Sequence, residues 1–415
     1  MNLPPRPGHG VVGSMLRSTL FWVHFSLGLL AGLPIAVMSF TGAALAFEKE
    51  IIAWLERDAR QIPPPDASAK PLPLTELVQH IHAKYPEARV ASLAISKDPR
   101  AAVSVALPPG GGSLYANPYT GETRAGDAAR ARAFFRTMMA WHTRLNFTPT
   151  PGRPTLGATI NSAANAAFVV LALSGLVLWW PRSWRGGALR PILWFVRGAR
   201  GRAREWNWHN VFGFWSLPVI VVLAGSGVVL SYRWAGDLVY RIAGETPPPP
   251  FRPGSPSPKP ASGPSPATSI APEAFFARVQ EEIPAWEVIT LRFAPPLQRQ
   301  NAAPVASGGT LTATVRPLDV WPPFAVTTLT LAAATGEKRK VEEFSDQTVG
   351  QRARRWIRLL HTGEALRWPG QLAAGLGCLA GCFLAWTGIA MAWRRMFRRG
   401  ERPSPESASS PAPTP

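Results

Sequence analysis

The sequence predicts an α-helical membrane protein: four transmembrane helices from a parallel two-fold internal repeat, with two α+β extracytoplasmic domains. Three observations predict this. Four charge-poor stretches each exceed the ~20 residues that a helix needs to cross a bilayer. Arginines flank those stretches unevenly. The two halves of the chain also repeat each other. Of the 415 residues only 17% are charged, 17 are tryptophan, and the formal net charge is +19. Such a charge also suits a nucleic-acid binder, but these arginines sit beside apolar runs, as membrane flanks do. Cys378 and Cys382 share one apolar stretch. They offer no disulfide framework and no zinc spacing, and read as small packing residues.

The elements follow in chain order. Residues 1–16 form a cytoplasmic N-terminus, and residues 17–47 the first span, free of charge between Arg17 and Glu48. It is too long for a signal-peptide core and no small-residue cleavage site follows, so it reads as a retained anchor. Residues 48–133 form the first outer domain. "PLTELVQHIHAKYP" predicts an amphipathic helix, "ARVASLAI" and "AAVSVAL" predict strands, and "LYANPYTGETR" predicts a turn flanked by strand residues. Residues 134–153 form a short amphipathic stretch at the outer face, and residues 154–181 the second span. Residues 182–205 are a basic loop carrying Arg182, Arg185, Arg190, Arg197, Arg200, Arg202 and Arg204.

The third span covers residues 206–232 and the second outer domain residues 233–350. A proline-rich linker at 245–268, including "PPPPFRPGSPSPKPASGPSP", is predicted to be extended. Beyond it, "PEAFFARVQEEIPAW" reads as a helix, and "VITLRFA", "TLTATVRPL" and "AVTTLTLAAATGEKRK" as antiparallel strands. Residues 351–367 form a second outer interfacial stretch and residues 368–393 the fourth span. The tail, 394–415, carries Arg394, Arg395, Arg398, Arg399 and Arg402, and its composition predicts disorder. The arginines of the loop and tail put both on the cytoplasmic side, with both termini, in a multi-pass membrane protein. Arg352, Arg354, Arg355 and Arg358 break that rule, because they cluster on the outer side of span four.

The repeat is legible residue by residue. "HFSLGLLAGLPIAVMSFTGAAL" and "HNVFGFWSLPVIVVLAGSGVVL" each start with His, place a Gly four residues later and another eighteen residues later: His24, Gly28, Gly42 and His209, Gly213, Gly227. The ends of spans two and four, "SGLVLWWPR" and "TGIAMAWRR", align Gly175 with Gly388 and Trp180 with Trp393. "WHTR" precedes the one and "LHTG" the other. Both halves start in the cytoplasm, so the relating axis runs along the membrane normal.

Four of the seven histidines occupy matched positions: His24, His142, His209 and His361. His9, His80 and His82 do not, and read as solvated or core residues. His24 and His209 lie near the cytoplasmic ends of their spans, and His142 and His361 in the two outer amphipathic stretches. A two-fold axis opposes His24 with His209, and His142 with His361. Two facing imidazoles are the axial ligand set of a six-coordinate b-type haem, so the chain is expected to hold two b-type haems. Gly28 and Gly213, one turn along from their histidines, are expected to clear space for the macrocycle. Arg136, Arg144, Arg354, Arg355 and Arg358 outside, and Arg17 and Arg204 inside, are candidates to pair with propionates. A zinc or non-haem iron site is the rival, but no carboxylate accompanies these histidines within the spans. Glu364 is the one near candidate and reads as a supporting or solvated residue. No catalytic constellation stands out in the outer domains.

These residues, above all "FWVHFSLGLLAGLPIAVMSFTGAALAF", "LYANPYTGET", "SGLVLWWPR" and "RARRWIRLLHTGEALRWPGQLAAGLG", resemble the PepSY-associated transmembrane helix family, the group of iron-regulated and ferric-siderophore-reductase-like inner-membrane proteins. "NPYTGE" resembles the closing turn of a PepSY domain, and "AAATGEKRK" is a weaker version of it. The resemblance covers most of the chain except the linkers and tail. It implies a four-helix membrane core with periplasmic PepSY-like domains, and an oxidoreductase that passes electrons outward to a ferric siderophore or other periplasmic acceptor. No nucleotide-binding motif occurs in a strand–helix setting, so electrons are expected from quinol or a separate cytoplasmic reductase. Two other classes stay open: a haem-free PepSY-domain binding or regulatory membrane protein, and, favoured only by the repeat, a transporter. Membrane lipid is an expected partner in every case, and nucleic acid in none.

Overall fold

A computed structural model describes residues 9–63, 66, 69–87, 90–107, 113–149, 154–181, 184, 186–249, 270–297 and 310–397. The first eight residues, most of the proline-rich linker, the tail beyond Phe397, and Arg182, Arg185, Arg398, Arg399 and Arg402 lie outside the described residues, as do the side chains of residues 9–14 with His9. The chain divides into two compact units. One comprises Met1–Ala46, Thr137–Ala235 and Ile357–Pro415, the other Phe47–Arg136 and Gly236–Trp356.

The elements run as follows. Helix α1 spans His9–Leu45, α2 Glu48–Leu55, α3 Arg57–Arg60 and α4 Leu74–Lys84. Strands β1 (Val90–Ser96), β2 (Val103–Ala106), β3 (Ser113–Ala116) and β4 (Thr123–Ala125) precede α5 (Ala129–Arg144) and α6 (Leu156–Trp179). Then come α7 (Gly186–Leu193), α8 (Gly201–Ser231), α9 (Arg233–Ile242) and α10 (Pro272–Glu282). Strands β5 (Trp286–Leu297), β6 (Thr310–Pro317), β7 (Thr327–Ala332) and β8 (Lys338–Glu342) lead to α11 (Val349–His361), a 3₁₀ turn at Glu364–Leu366 and α12 (Arg367–Phe397).

In the helical unit, α1, α6, α8 and α12 are long and apolar enough to cross a membrane. They coincide with the four expected spans, each shifted at its ends by a few residues. Their neighbours form a ring, α1–α12–α8–α6 and back to α1. Apolar side chains gain nothing by leaving lipid for one another, so close approach depends on small residues. Gly381 accordingly packs on Ser39, Gly377 on Val219 and Gly32 on Ile389. Thr155 starts α6 by accepting the Ala158 N–H at 3.1 Å, satisfying one of the orphan donors of the first turn.

A sharp reversal joins α5 to α6. Leu145 and Asn146 take φ of 50° and 60°, in the left-handed region, and Gly157 lies directly against the Arg144 carbonyl. The α11–α12 junction is built alike, with Gly363 at φ 76° and Gly370 against the Gly363 carbonyl. No residue with a Cβ fits at Gly157 or Gly370 without moving backbone.

In the α/β unit, one eight-stranded antiparallel sheet runs β4-β3-β2-β1-β5-β6-β7-β8. Each expected outer segment supplies a helix followed by antiparallel strands, as read from the sequence, and the strands number four in each. The two segments are nevertheless not separate bodies. Strand β1 pairs with β5, placing Leu93 opposite Leu291 and Ile95 opposite Ile289. Each four-stranded piece alone would expose an apolar edge, and joining them removes both. Helices α4 and α10 bury Leu77, Val78, Ile81, Phe275 and Val279 in the same core as Leu93, Ile289, Leu291 and Leu329. Thr75 ties the two helices together, donating its N–H to Glu273 at 2.5 Å and its hydroxyl at 2.9 Å.

A buried polar knot pins the first segment of this unit. The Glu56 side chain is fully buried and accepts from Arg132 Nη2 at 2.7 Å, Tyr115 Oη at 2.8 Å and Arg60 Nη2 at 3.4 Å. Burial alone would raise the Glu56 carboxyl, but these donors outweigh it and hold it below the usual range. Gly126 lies directly on the Glu56 carboxylate, where a Cβ would collide with it.

Candidate functional site

The four repeat-matched histidines meet in two pairs. The His24 and His209 rings lie 6.3 Å apart between centroids, at an interplanar angle of 84°. The His142 and His361 rings lie 6.2 Å apart, at 54°. Helices α1 and α8 carry the first pair, and the C-terminal turns of α5 and α11 the second.

Each ring is held through Nδ1. His24 Nδ1 lies 2.9 Å from Ser174 Oγ, and His209 Nδ1 2.8 Å from Thr387 Oγ1. His142 Nδ1 lies 2.9 Å from the Met38 carbonyl and 3.2 Å from Thr41 Oγ1. His361 Nδ1 lies 3.0 Å from the Leu223 carbonyl and 2.9 Å from Ser226 Oγ. The residues correspond: Ser174 stands to Thr387 as Met38 stands to Leu223 and Thr41 to Ser226, at the spacings that relate spans two to four and one to three.

These partners fix the tautomer. A carbonyl only accepts, so His142 and His361 carry their proton on Nδ1. The hydroxyls are committed in the same sense. Ser174 donates to the Val170 carbonyl at 2.7 Å and Thr387 to the Phe383 carbonyl at 2.8 Å, so each can only accept from its histidine. All four rings thus present Nε2 with a free lone pair, which has no hydrogen-bond partner among the described residues. That is the arrangement in which outer-shell partners orient metal-ligating imidazoles. Burial pushes His142 down to about 4, with the charge of His361 adding to the effect, and burial lowers His361 as well. Both are therefore neutral at pH 7, with the ligating electron pair unprotonated.

The separations fit one shared atom. An imidazole nitrogen sits about 2 Å from a bound metal, which puts the ring centre roughly 3 Å away and two opposed ring centres roughly 6 to 6.5 Å apart. Both pairs fall in that interval. Close packing clears the rings. A Cβ on Gly175 would come within 3.3 Å of His24 Cε1, one on Gly42 within 3.2 Å of His142 Cε1, and one on Gly388 within 3.7 Å of His209 Cε1. These are glycines that the repeat alignment had marked only as landmarks. A Cβ on Gly28 or Gly213, singled out in the sequence, would meet Leu171 at 3.9 Å or Leu384 at 3.7 Å, again a matched pair.

The arginines are less uniform. Arg17 donates to the Leu178 and Trp180 carbonyls at 2.9 and 2.7 Å, closing the end of α6. Arg144 donates to the Phe147 carbonyl at 3.0 Å, and Arg204 lies over the Trp208 ring at 5.2 Å. Arg355 is turned into the α/β unit, donating to the Phe324 carbonyl at 3.1 Å between the Phe324 and Phe344 rings. Arg136 and Arg358 are exposed, and Arg354 is half-buried.

One buried charge escapes the sequence reading, which takes Glu205 as the boundary of span three. Helix α8 begins four residues earlier, so Glu205 is inside it, one turn before His209. Its Oε1 pairs with Arg394 of α12 at 2.9 Å, while Oε2 has no hydrogen-bond partner among the described residues. Of the other histidines, His80 bonds the Glu76 carbonyl and His82 is buried. Among the described residues no cluster of three or more His, Cys, Asp or Glu side chains could hold a bare metal ion.

The match to known proteins agrees with this plan at the level of family. No curated protein matches the chain. A family model described as the PepSY-associated TM region matches residues 21–395, from within α1 to the last turn of α12, and the chain belongs to that family.

Proposed function

We propose that this membrane protein is a two-haem electron carrier built by internal duplication, with one b-type haem held by His24 and His209 and the other by His142 and His361. The observation that carries the reading is the set of four Nδ1–H bonds to hydroxyls and carbonyls at corresponding positions. Ring separation alone is not decisive, because edge-to-face aromatic contacts of about 4.5–7 Å cover the same interval. A haem-free packing pair, however, has no need to hold the same nitrogen of all four rings.

A haem with two imidazole ligands takes up and releases single electrons without binding substrate at iron. The protein's part is to orient. Ser174 and Thr387 hold one pair, and the Met38 and Leu223 carbonyls the other. Apolar helices exclude water between them. Along α1, 14 to 17 residues separate His24 from the groups that hold His142, which at 1.5 Å per residue is roughly 21–26 Å, most of the hydrocarbon thickness. The two pairs thus suit a relay across the membrane.

The arginine distribution supports both termini on the cytoplasmic side, and the family resemblance supports a bacterial inner membrane. The family resemblance supports a ferric siderophore as acceptor on the outer face, where reduction to the ferrous state weakens oxygen-donor chelation. Quinol or a separate reductase would be the donor. The test is the pigment of the purified full-length protein. A reduced-minus-oxidised spectrum is expected to show b-type bands at two haems per chain. His24→Ala and His209→Ala are each expected to remove the same haem, and His142→Ala and His361→Ala the other. A colourless protein, or four variants with the pigment content of the parent, overturns the assignment.

A further inference from the structure

The tip of the β6–β7 connection is unusual for a soluble face. Leu318, Asp319, Val320 and Trp321 are all exposed, Trp321 by 71%, although the strands on either side bury every second residue. The tip is not loose. Leu318 N–H is bonded to the Ala285 carbonyl at 3.0 Å, and Ala325 N–H to the Pro322 carbonyl at 2.7 Å. A fixed apolar tip in water costs free energy with no return inside the fold.

The neighbour of this tip is α11. Trp321 packs on Trp356 at 6.2 Å, and Trp356 meets Phe324 at 4.8 Å. Arg352 lies one turn before Trp356 on the same stripe of α11. Six residues after α11 ends at His361, the chain enters α12, a helix fit to cross a bilayer. Tryptophan with arginine, close in sequence to a span, is the composition of a membrane–water interface: the indole sits at the headgroup level and the guanidinium pairs with anionic headgroups.

We propose that the β6–β7 tip, with α11, rests in the lipid headgroup layer of the membrane that the four helices cross, with Val320 and Trp321 inserted among the headgroups. Asp319 at the tip keeps the insertion shallow, since a carboxylate is costly below the headgroups. The first half of the chain has no counterpart: its equivalent β2–β3 connection falls at residues 107–112, which carry no aromatic residue. The device belongs to the second half alone, and it requires no haem.

The experiment uses the full chain with Cys378 and Cys382 replaced by Ala, and a single cysteine at Val320→Cys or, as a control on the same unit, at the exposed Lys340→Cys. Each is labelled with an environment-sensitive fluorophore and reconstituted into phosphatidylethanolamine–phosphatidylglycerol vesicles. The label at 320 is expected to shift to the blue, to be quenched by lipid carrying a headgroup-level nitroxide, and to be shielded from aqueous iodide several-fold relative to the label at 340. Equal iodide quenching at the two positions overturns the proposal. So does shielding at 320 that persists in detergent and grows with protein concentration, which would assign the tip to a second copy of the chain. Haem content of the labelled protein is recorded alongside, so that loss of the redox reading and loss of this one are told apart.

Discussion

At the scale of the residue, the polar groups that matter are those whose partners leave them one option. A histidine facing a carbonyl must donate from Nδ1, and so must one facing a hydroxyl whose proton is already spent on its own helix. The four-fold recurrence of this device was half legible in the sequence. The histidines and their spacing were plain, but Ser174, Thr387, Thr41 and Ser226 look like ordinary small span residues until the helices are packed. Glycine shows the same limit. Gly28 and Gly213 drew notice by proximity in sequence, whereas Gly42 and Gly175 leave room for rings that a different helix brings to them. The same logic yields a prediction outside the helices. Burial, and then its hydrogen bond to Glu56, push Tyr115 up to about 12 from a usual 10. The unfolded chain ionises this phenol near 10 and the folded one does not, so stability present below pH 10 is lost between about pH 10 and 12. Tyr115→Phe is expected to cost about 1 kcal/mol at neutral pH, the net worth of one hydrogen bond, and to flatten that alkaline loss. Thermal melts of parent and variant against pH, followed by circular dichroism, check it. A variant as alkali-sensitive as the parent would remove Tyr115 from the account.

At the scale of the element, the sequence is read well where one periodicity dominates. All four spans, α4, α10 and the strands of both outer segments stand where hydropathy and alternation put them. Four short helices were missed, α9 (Arg233–Ile242) among them. α2 and α3 follow directly on α1 and merge with its end, and α7 contains Pro191, which argues against a helix by local rules. The joining of β1 to β5 was also out of reach. Both are apolar strands, and nothing local says that the partner of one lies some two hundred residues away. That junction makes a definite claim about cooperativity. Leu93 and Leu291 oppose each other across it and are both fully buried. Leu93→Ala should cost about 2–5 kcal/mol, the range for removing a buried leucine. Because the core is common, the loss should be felt by both segments. Trp286, at the start of β5, should report the same lowered midpoint as the whole sheet does by circular dichroism. Two midpoints, with that of Trp286 unmoved by Leu93→Ala, would mean that the segments unfold as independent domains.

At the scale of the whole molecule, the two-haem reading proposed above makes both histidine pairs necessary, because His24 and the α1 groups that hold His142 lie roughly 21–26 Å apart along that helix. A single haem leaves a gap on one side that single-electron transfer has to span through apolar side chains. The expected behaviour is therefore a strict requirement for both pairs. In vesicles loaded with ferricyanide and exposed to a membrane-impermeant reductant outside, the parent protein should bleach the trapped oxidant, and random insertion does not matter because transfer is scored across the bilayer in either direction. His209→Ala should abolish the bleaching although the haem at His142 and His361 remains and still reduces from its own side. His361→Ala should do the same with the opposite haem retained. If either single-haem variant carries electrons across at the rate of the parent, the pairs act separately. The duplicated architecture would then serve two independent redox sites, and the sequence symmetry would record ancestry alone, with no relay built from it.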